Sequence, residues 1–362
     1  FEIYYLLTLW NPLNFDRPLP KPNSNKKVLI CGAGPAGISL AYNLLMDGHI
    51  AVVIDGLKIE PIKDQVFNNN GEILLYKDCK KQLFQNLSEK IAEGFGGVAE
   101  YGITPRWNKN YLKLARITLE RHNNFYLYGG IRFGSQLNKE QVFEIGFDHI
   151  AFCMGAGSPN IINLKNNLIP GVRKASDFLM SLQLLGSFDI KSLVNLQIRM
   201  PIIVIGGGLT AIDTATESLA YYPIQILKFK QLLDNLLQSN YLTIEKIREN
   251  FSEAEKVIFN EFLDHSKLFE VEIQNAEKTK TTPDFLPILN NLGGSLIIYR
   301  KALKESPAYR LNHEEVIKAL EEGIKIQEST TPNEILKDKY GYVKALKSKL
   351  YDQEFTIPAK TI

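Results

Sequence analysis

Cysteine is scarce: Cys31, Cys79 and Cys153 are the 3 in a chain of 362 residues, and they are far apart. There is no C-x-x-C pair, which excludes zinc-finger spacing, a local dithiol motif and a disulfide framework. A reducing compartment is expected. Long hydrophobic runs are also missing. The apolar opening over residues 1–10 is too short to span a membrane, and it has no basic flank or cleavage site to make it a signal peptide. Nor does charge of one sign dominate, because 42 Lys and Arg face 40 Asp and Glu for a net +2. That balance gives no electrostatic reason to expect nucleic acid or an acidic membrane as partner. The 5 histidines show no metal-ligand spacing. These absences leave a cytoplasmic protein acting on a small molecule.

What is there has the composition of a globular protein: 45% hydrophobic, 23% charged, 25 Gly and 16 Pro. The length suggests two domains. Because the chain begins with Phe1 and stops at Ile362 in what reads as the start of a strand, a piece of something longer is expected. Residues 1–25 form a proline-rich lead-in. A short apolar run, Val28-Leu29-Ile30-Cys31, is followed by closely spaced glycines, a helical pattern over 38–46 and a second run over 51–54. This is a β-α-β unit with a buried parallel sheet. A helix is expected over 111–121 and a further buried run over 150–154.

The pattern then repeats. Pro201 opens Ile202-Ile203-Val204-Ile205, glycines 206–208 follow, then a helix over 209–220, and a strand over 295–299 comes much later. Residues 221–294 far exceed a simple crossover. They are read as a helical insertion, with Ser252 and Glu255 as a capping box and Ala254, Val257, Ile258 and Phe262 along one helix face. A further helix is expected over 313–322, stopped by Gly323.

The first glycine motif, Gly32-Ala33-Gly34-Pro35-Ala36-Gly37, fits G-x-G-x-x-G between strand and helix, and Asp55 ends the next strand. The glycines permit the turn, the approach of a pyrophosphate and close helix–strand packing. N–H groups at the helix start hold the phosphates. A carboxylate at Asp55 accepts from both ribose hydroxyls and repels a 2′-phosphate, so the ligand is FAD or NAD. The second motif, Gly206-Gly207-Gly208-Leu209-Thr210-Ala211, fits G-x-G-x-x-A. Its strand ends not in an acid but in Tyr299-Arg300-Lys301, whose two cations suit a 2′-phosphate. NADPH is the inference. Asp213 is read as a first-turn acid complementing the helix dipole. Hydride transfer from nicotinamide to flavin needs stacking at about 3–3.5 Å and no protein acid or base, so no catalytic side chain is nominated.

These residues resemble the two-dinucleotide-domain flavoproteins of the glutamate synthase small subunit and its adrenodoxin-reductase-like relatives, over roughly residues 26–362. The resemblance extends to Gly96-Gly97-Val98-Ala99-Glu100-Tyr101-Gly102-Ile103-Thr104-Pro105-Arg106, to Cys153-Met154-Gly155-Ala156-Gly157, and to Ser306-Pro307-Ala308 after the basic pair. The group these residues resemble lies in the pyridine nucleotide-disulfide oxidoreductase superfamily, among members without the redox disulfide. The implied fold is α/β, with two Rossmann-like domains, the nucleotide domain inserted in the flavin domain, and a helical insertion at 221–294. The domains would be 26–170 for FAD and 171–358 for NAD(P)H. FAD would sit on 32–37, Asp55, Gly97, Arg106 and Gly155, and NADPH on 206–211, Arg300 and Lys301. The family's iron–sulfur cysteine clusters are absent, so an electron-accepting subunit or a flanking iron–sulfur or flavin domain would be the partner. Two other readings stay open at this point: a flavin monooxygenase or oxidase, and a non-catalytic nucleotide-binding module.

Overall fold

A computed structural model of the chain describes residues 11–16, 19–85, 110–155, 159–189, 192–238 and 242–362. They form two compact units, one reaching Pro159 and the other running from Asn160 to Ile362.

In the first unit the apolar run becomes β1 (Lys27–Cys31), followed by α1 (Pro35–Met46) and β2 (Ile50–Ile54). Further along come α2 (Cys79–Leu83), α3 (Asn110–Glu120), β3 (Phe125–Tyr128), α4 (Lys139–Glu144) and β4 (His149–Phe152). The strands make one parallel sheet in the order β3-β2-β1-β4. β1 is central, which is why its side chains are apolar on both faces. Val28, Ile30, Ala51 and Val53 pack with Ile38, Ala41 and Leu45 of α1, while Leu29, Cys31 and Ile54 pack with Val142 of α4. β4 corrects an expectation. The run over 150–154 is an edge, with Phe152 61% and Met154 52% exposed.

A second small core of this unit gathers Leu13, Ile62, Val66, Tyr76 and Cys79 against Tyr111, Leu114 and Ile117 of α3. Buried Arg121 ties the lead-in to it by donating to the carbonyls of Pro12, Leu13, Phe15 and Leu74.

The second unit has α5 (Ala175–Leu184), β5 (Ile202–Ile205), α6 (Leu209–Gln238), α7 (Ile244–Glu249), α8 (Glu253–Thr279), α9 (Leu286–Asn291), β6 (Ser295–Ile298), α10 (Pro307–Glu321) and β7 (Lys325–Gln327). Its parallel sheet has the order β5-β6-β7, and Thr361 pairs with Ile202 in parallel on the other side of β5. Strands β8 (Thr330–Lys337), β9 (Val343–Leu350) and β10 (Gln353–Pro358) form an antiparallel sheet. Its Ile335, Val343 and Leu346 pack on Ile203 and Ile298. The molecule is thus α/β with two parallel, Rossmann-like sheets.

The insertion is helical, but it begins differently from the expectation. The helix of the second glycine motif does not stop near 220; it continues past Pro223 to Gln238. Burial of Tyr221, Tyr222 and Ile226 around the proline offsets the one hydrogen bond it cannot donate. The Ser252–Glu255 capping box opens α8 as read. The buried face, however, is Ile258, Phe259, Phe262, Ser266 and Phe269, while Val257 is 45% exposed. Each buried apolar side chain there contributes about 1.5–3 kcal/mol.

Where α8 meets the sheet, the Glu261 carboxylate takes Arg199 at 2.6 Å and Lys360 at 2.8 Å. Burial pushes the Glu261 carboxyl up, and the hydrogen bonds from the two cations outweigh it, leaving it below the usual carboxylate range. Beside it Tyr222 and His265 share a 2.7 Å hydrogen bond. Burial raises the Tyr222 phenol and lowers the His265 imidazole. The helix expected over 313–322 starts earlier, at Pro307 with Ser306 as its cap, and breaks at Asn312 before resuming.

Candidate functional sites at two glycine loops

The first loop leaves β1 at the carboxyl end of the sheet. Gly32 has φ +111°, and a methyl on it would stand 2.5 Å from the Cys153 carbonyl, so only glycine fits between β1 and the segment after β4. At the third position a methyl on Gly37 would overlap the Gly32 carbonyl oxygen. These contacts hold the turn tight. Gly34 caps α1 and Pro35 takes the first helical position, where a missing N–H costs nothing. The first backbone bond of the helix runs from Ile38 N–H to the Gly34 carbonyl at 3.0 Å. The N–H groups of Ala36 and Gly37 therefore lie in the helix's opening turn, where an anion is favoured.

Asp55 stands directly after β2. Its carboxylate accepts from Ala33 N–H and from Leu57 N–H, both at 2.9 Å. It braces the loop while keeping lone pairs for a further donor, since a carboxylate offers about four acceptor sites. Gly155 follows β4 with φ +67° and open space around it, beside the same turn. The structure thus brings 32–37, Asp55 and Gly155 together. Gly97 and Arg106, with the whole 96–106 motif, lie outside the described residues.

The second loop repeats the frame. Gly206 N–H donates to the Ile298 carbonyl at 3.1 Å, as Gly32 N–H donates to Ile54 at 2.8 Å. Tyr299 N–H donates to Gln327 at 3.0 Å, as Asp55 N–H donates to Tyr128 at 3.1 Å. Residue 299 is therefore the counterpart of residue 55. Gly208, Leu209 and Thr210 lead into α6, with Ala211 buried at the third position. Arg300 and Lys301 are exposed one and two residues past Tyr299. The Lys301 carbonyl accepts from Ser329 N–H at 3.0 Å, and Glu328 accepts from Leu303 N–H at 2.7 Å, which fixes this turn beside the loop. Asp213 falls beyond the first turn of α6, which holds no acid, so the dipole reading does not apply to it.

Sequence reasoning passed over Tyr299 itself, whose ring lies against Gly207. Its place directly before the basic pair was the available signal.

Residues 26–362 match the pyridine nucleotide-disulphide oxidoreductase family. The chain belongs to that family. An uncharacterized protein of Rickettsia prowazekii (strain Madrid E) is 48% identical over 345 residues, which is 95% of this chain. The chain spans 45% of that relative's length. A 38-residue stretch, 10% of this chain and 6% of the relative, is 50% identical to an NADPH-Fe(3+) oxidoreductase subunit beta of Geobacter sulfurreducens. Among solved structures, 6-hydroxypseudooxynicotine amine oxidase from Pseudomonas geniculata N1 aligns at 14% identity and a TM-score of 0.44, covering 98% of this chain and 36% of the other.

The family's name carries a disulphide, and this member's cysteines offer none. All three thiols are free. Cys31 faces the α4 side of the sheet, Cys153 the α1 side, and Cys79 sits in the small core near Leu13. Cys31 and Cys153 are neighbours on adjacent strands but point to opposite faces, which a disulfide cannot join. Burial, with Cys153 adding to it, pushes the Cys31 thiol up to about 11, so it is inert as a nucleophile at neutral pH. Among the described residues no helix is long and apolar enough to cross a membrane.

Proposed function

We propose that this chain is the nucleotide-handling part of an FAD-dependent NADPH oxidoreductase of the glutamate synthase small-subunit type, with FAD on the first loop and NADPH on the second. The observation that carries the reading is the pair of equivalent glycine loops with opposite chemistry behind them. A carboxylate stands behind the first, and a tyrosine followed by Arg300 and Lys301 behind the second.

The first loop fits a dinucleotide by its own geometry. Its turn has no room for side chains at Gly32 and Gly37, its helix start offers N–H groups to a pyrophosphate, and Asp55 keeps acceptor sites for an adenosine ribose diol. By resemblance, Gly97, Arg106 and Gly155 would line the flavin. In the second loop Arg300 would pair with a 2′-phosphate through two N–H groups, and Lys301 would add a point charge. Bound together, the two cofactors supply hydride transfer from NADPH to the flavin. The chain's own groups bind, orient and select. Since the cysteines cannot form a relay, electrons leave through an accepting subunit, an iron–sulfur centre or a flanking domain, and three dispersed thiols suit a cytoplasmic setting.

The test is to denature the purified intact protein and identify what it releases. FAD at one per chain is expected. Release of NAD, or of no nucleotide from protein refolded with FAD present, would overturn the assignment of the first loop.

A further inference from the structure

The two loops differ at a second position besides residue 299. Where the first has Ala33, fully buried, the second has Gly207. The difference is coupled to the strand-end residue. In the first loop the Asp55 carboxylate is small and accepts from Ala33 N–H at 2.9 Å. In the second, the Tyr299 ring lies across Gly207, and a methyl at 207 would overlap its Cγ, Cδ2 and Cε2 atoms. The main chain of both partners is fixed. The Gly207 carbonyl accepts from Ala308 N–H at 3.0 Å, and Tyr299 is held by Gln327 on one side and by Thr330 N–H at 2.9 Å on the other.

We propose that Gly207 and Tyr299 form a matched pair that sets which ribose the second loop accepts, an inference that rests on reading this loop as a dinucleotide site. A dinucleotide on such a loop places its adenosine ribose at the end of the second strand. In the first loop that place holds a carboxylate suited to a free diol. In the second it holds an aromatic ring that offers no carboxylate to a free diol and no negative charge to repel a phosphate. Arg300 and Lys301 then meet the phosphate without competition from an acid at 299. Tyr299 is thus a specificity-determining residue that acts by occupying the acid position, and Gly207 is the residue that lets it do so.

The experiment is a double-mutant cycle at 207 and 299 in the intact protein, reading NADPH and NADH dissociation constants by isothermal titration, with thermal melting as the folding control. Wild type should prefer NADPH. Gly207→Ala should weaken both nucleotides by about tenfold or more, the scale of one unrelieved overlap in a packed loop. Tyr299→Asp should shift the NADPH-to-NADH ratio towards NADH by about tenfold or more, on the scale of one charged hydrogen bond. Tyr299→Phe should leave that ratio unchanged. The double variant Gly207→Ala with Tyr299→Asp, which copies the Ala33–Asp55 arrangement, should regain affinity over Gly207→Ala alone and favour NADH. Wild type that binds neither nucleotide would overturn the reading of the loop and the pair with it. Tight NADPH binding by wild type, with the ratio unmoved in Tyr299→Asp or with no rescue in the double variant, would overturn the pair alone.

Discussion

The two units build their loops on the same frame, a β-strand turning into a helix with the first glycine N–H bonded to the end of the second strand. They part in what surrounds that frame. In the first, α1 and β2 are joined by three residues, 47–49, and the strand ends in Asp55. In the second, the helix runs on to Gln238, two more helices intervene before α9, and β6 gives way to Tyr299. The comparison separates two roles that a glycine motif usually carries together. The cradle comes from backbone geometry and is shared, whereas the strand-end residue differs, Asp55 in one and Tyr299 in the other, and the proposed selectivity rests on that difference.

The largest expected effect sharpens the contrast in the crossovers. Glu261 anchors α8 to Arg199 and Lys360, and no such anchor is needed in the short crossover of the first unit. Glu261→Gln leaves two cations facing an uncharged amide and should cost about 3–5 kcal/mol, the usual scale for breaking a buried pair. Calorimetry should show the second unit melting earlier and the first unchanged. A single unshifted melt would mean that the ion cluster does not hold the insertion.

Next comes the phosphate assignment. Arg300→Ala should weaken NADPH by about 1.5–3 kcal/mol, as for a hydrogen bond to a charged group, and leave NADH nearly unchanged. Equal losses for both nucleotides would break the distinction between the loops. Gly37→Ala should follow, costing about 1–3 kcal/mol by overpacking and reducing FAD occupancy. Ala211→Gly, at the matching position, should cost no more than about 1 kcal/mol, the helix-propensity difference. A tolerant Gly37 would show that the first turn is looser than the close approach to the Gly32 carbonyl implies.

The smallest effect is in pH. Both Glu261 and His265 titrate below their ordinary values in the folded chain, so the unfolded chain binds more protons and stability rises with pH. His265 should begin to erode stability as pH falls below its ordinary 6.5, and Glu261 as it falls below its ordinary 4.5. The melting temperature of the second unit, followed from pH 8 down to about 5, should drop first in the histidine range. His265→Asn should flatten that part of the curve, and an unchanged slope would remove the histidine from the account.

The α/β class and both glycine loops were legible in the sequence because glycine spacing and apolar runs are local and encode the turn directly. The packing of the Tyr299 ring on Gly207 was not legible, since the two residues lie far apart in sequence. The exposure of Phe152 depends on β4 being an edge, which a run of apolar residues does not reveal. The run of the helix beyond 220 was not legible, because the local cost of Pro223 is offset by the burial of Tyr221, Tyr222 and Ile226, which is tertiary. Arg199 and Lys360 lie 62 and 99 residues from Glu261, beyond any periodicity.

The claim that joins these observations is that one loop holds a flavin and the other a phosphorylated nicotinamide nucleotide. An anaerobic titration of the intact protein with NADPH and, separately, NADH, read at the flavin absorbance, tests it most directly. The account predicts bleaching by NADPH at a concentration at least about tenfold below that needed for NADH. A flavin band that NADH bleaches equally well, or that neither nucleotide bleaches, would contradict it.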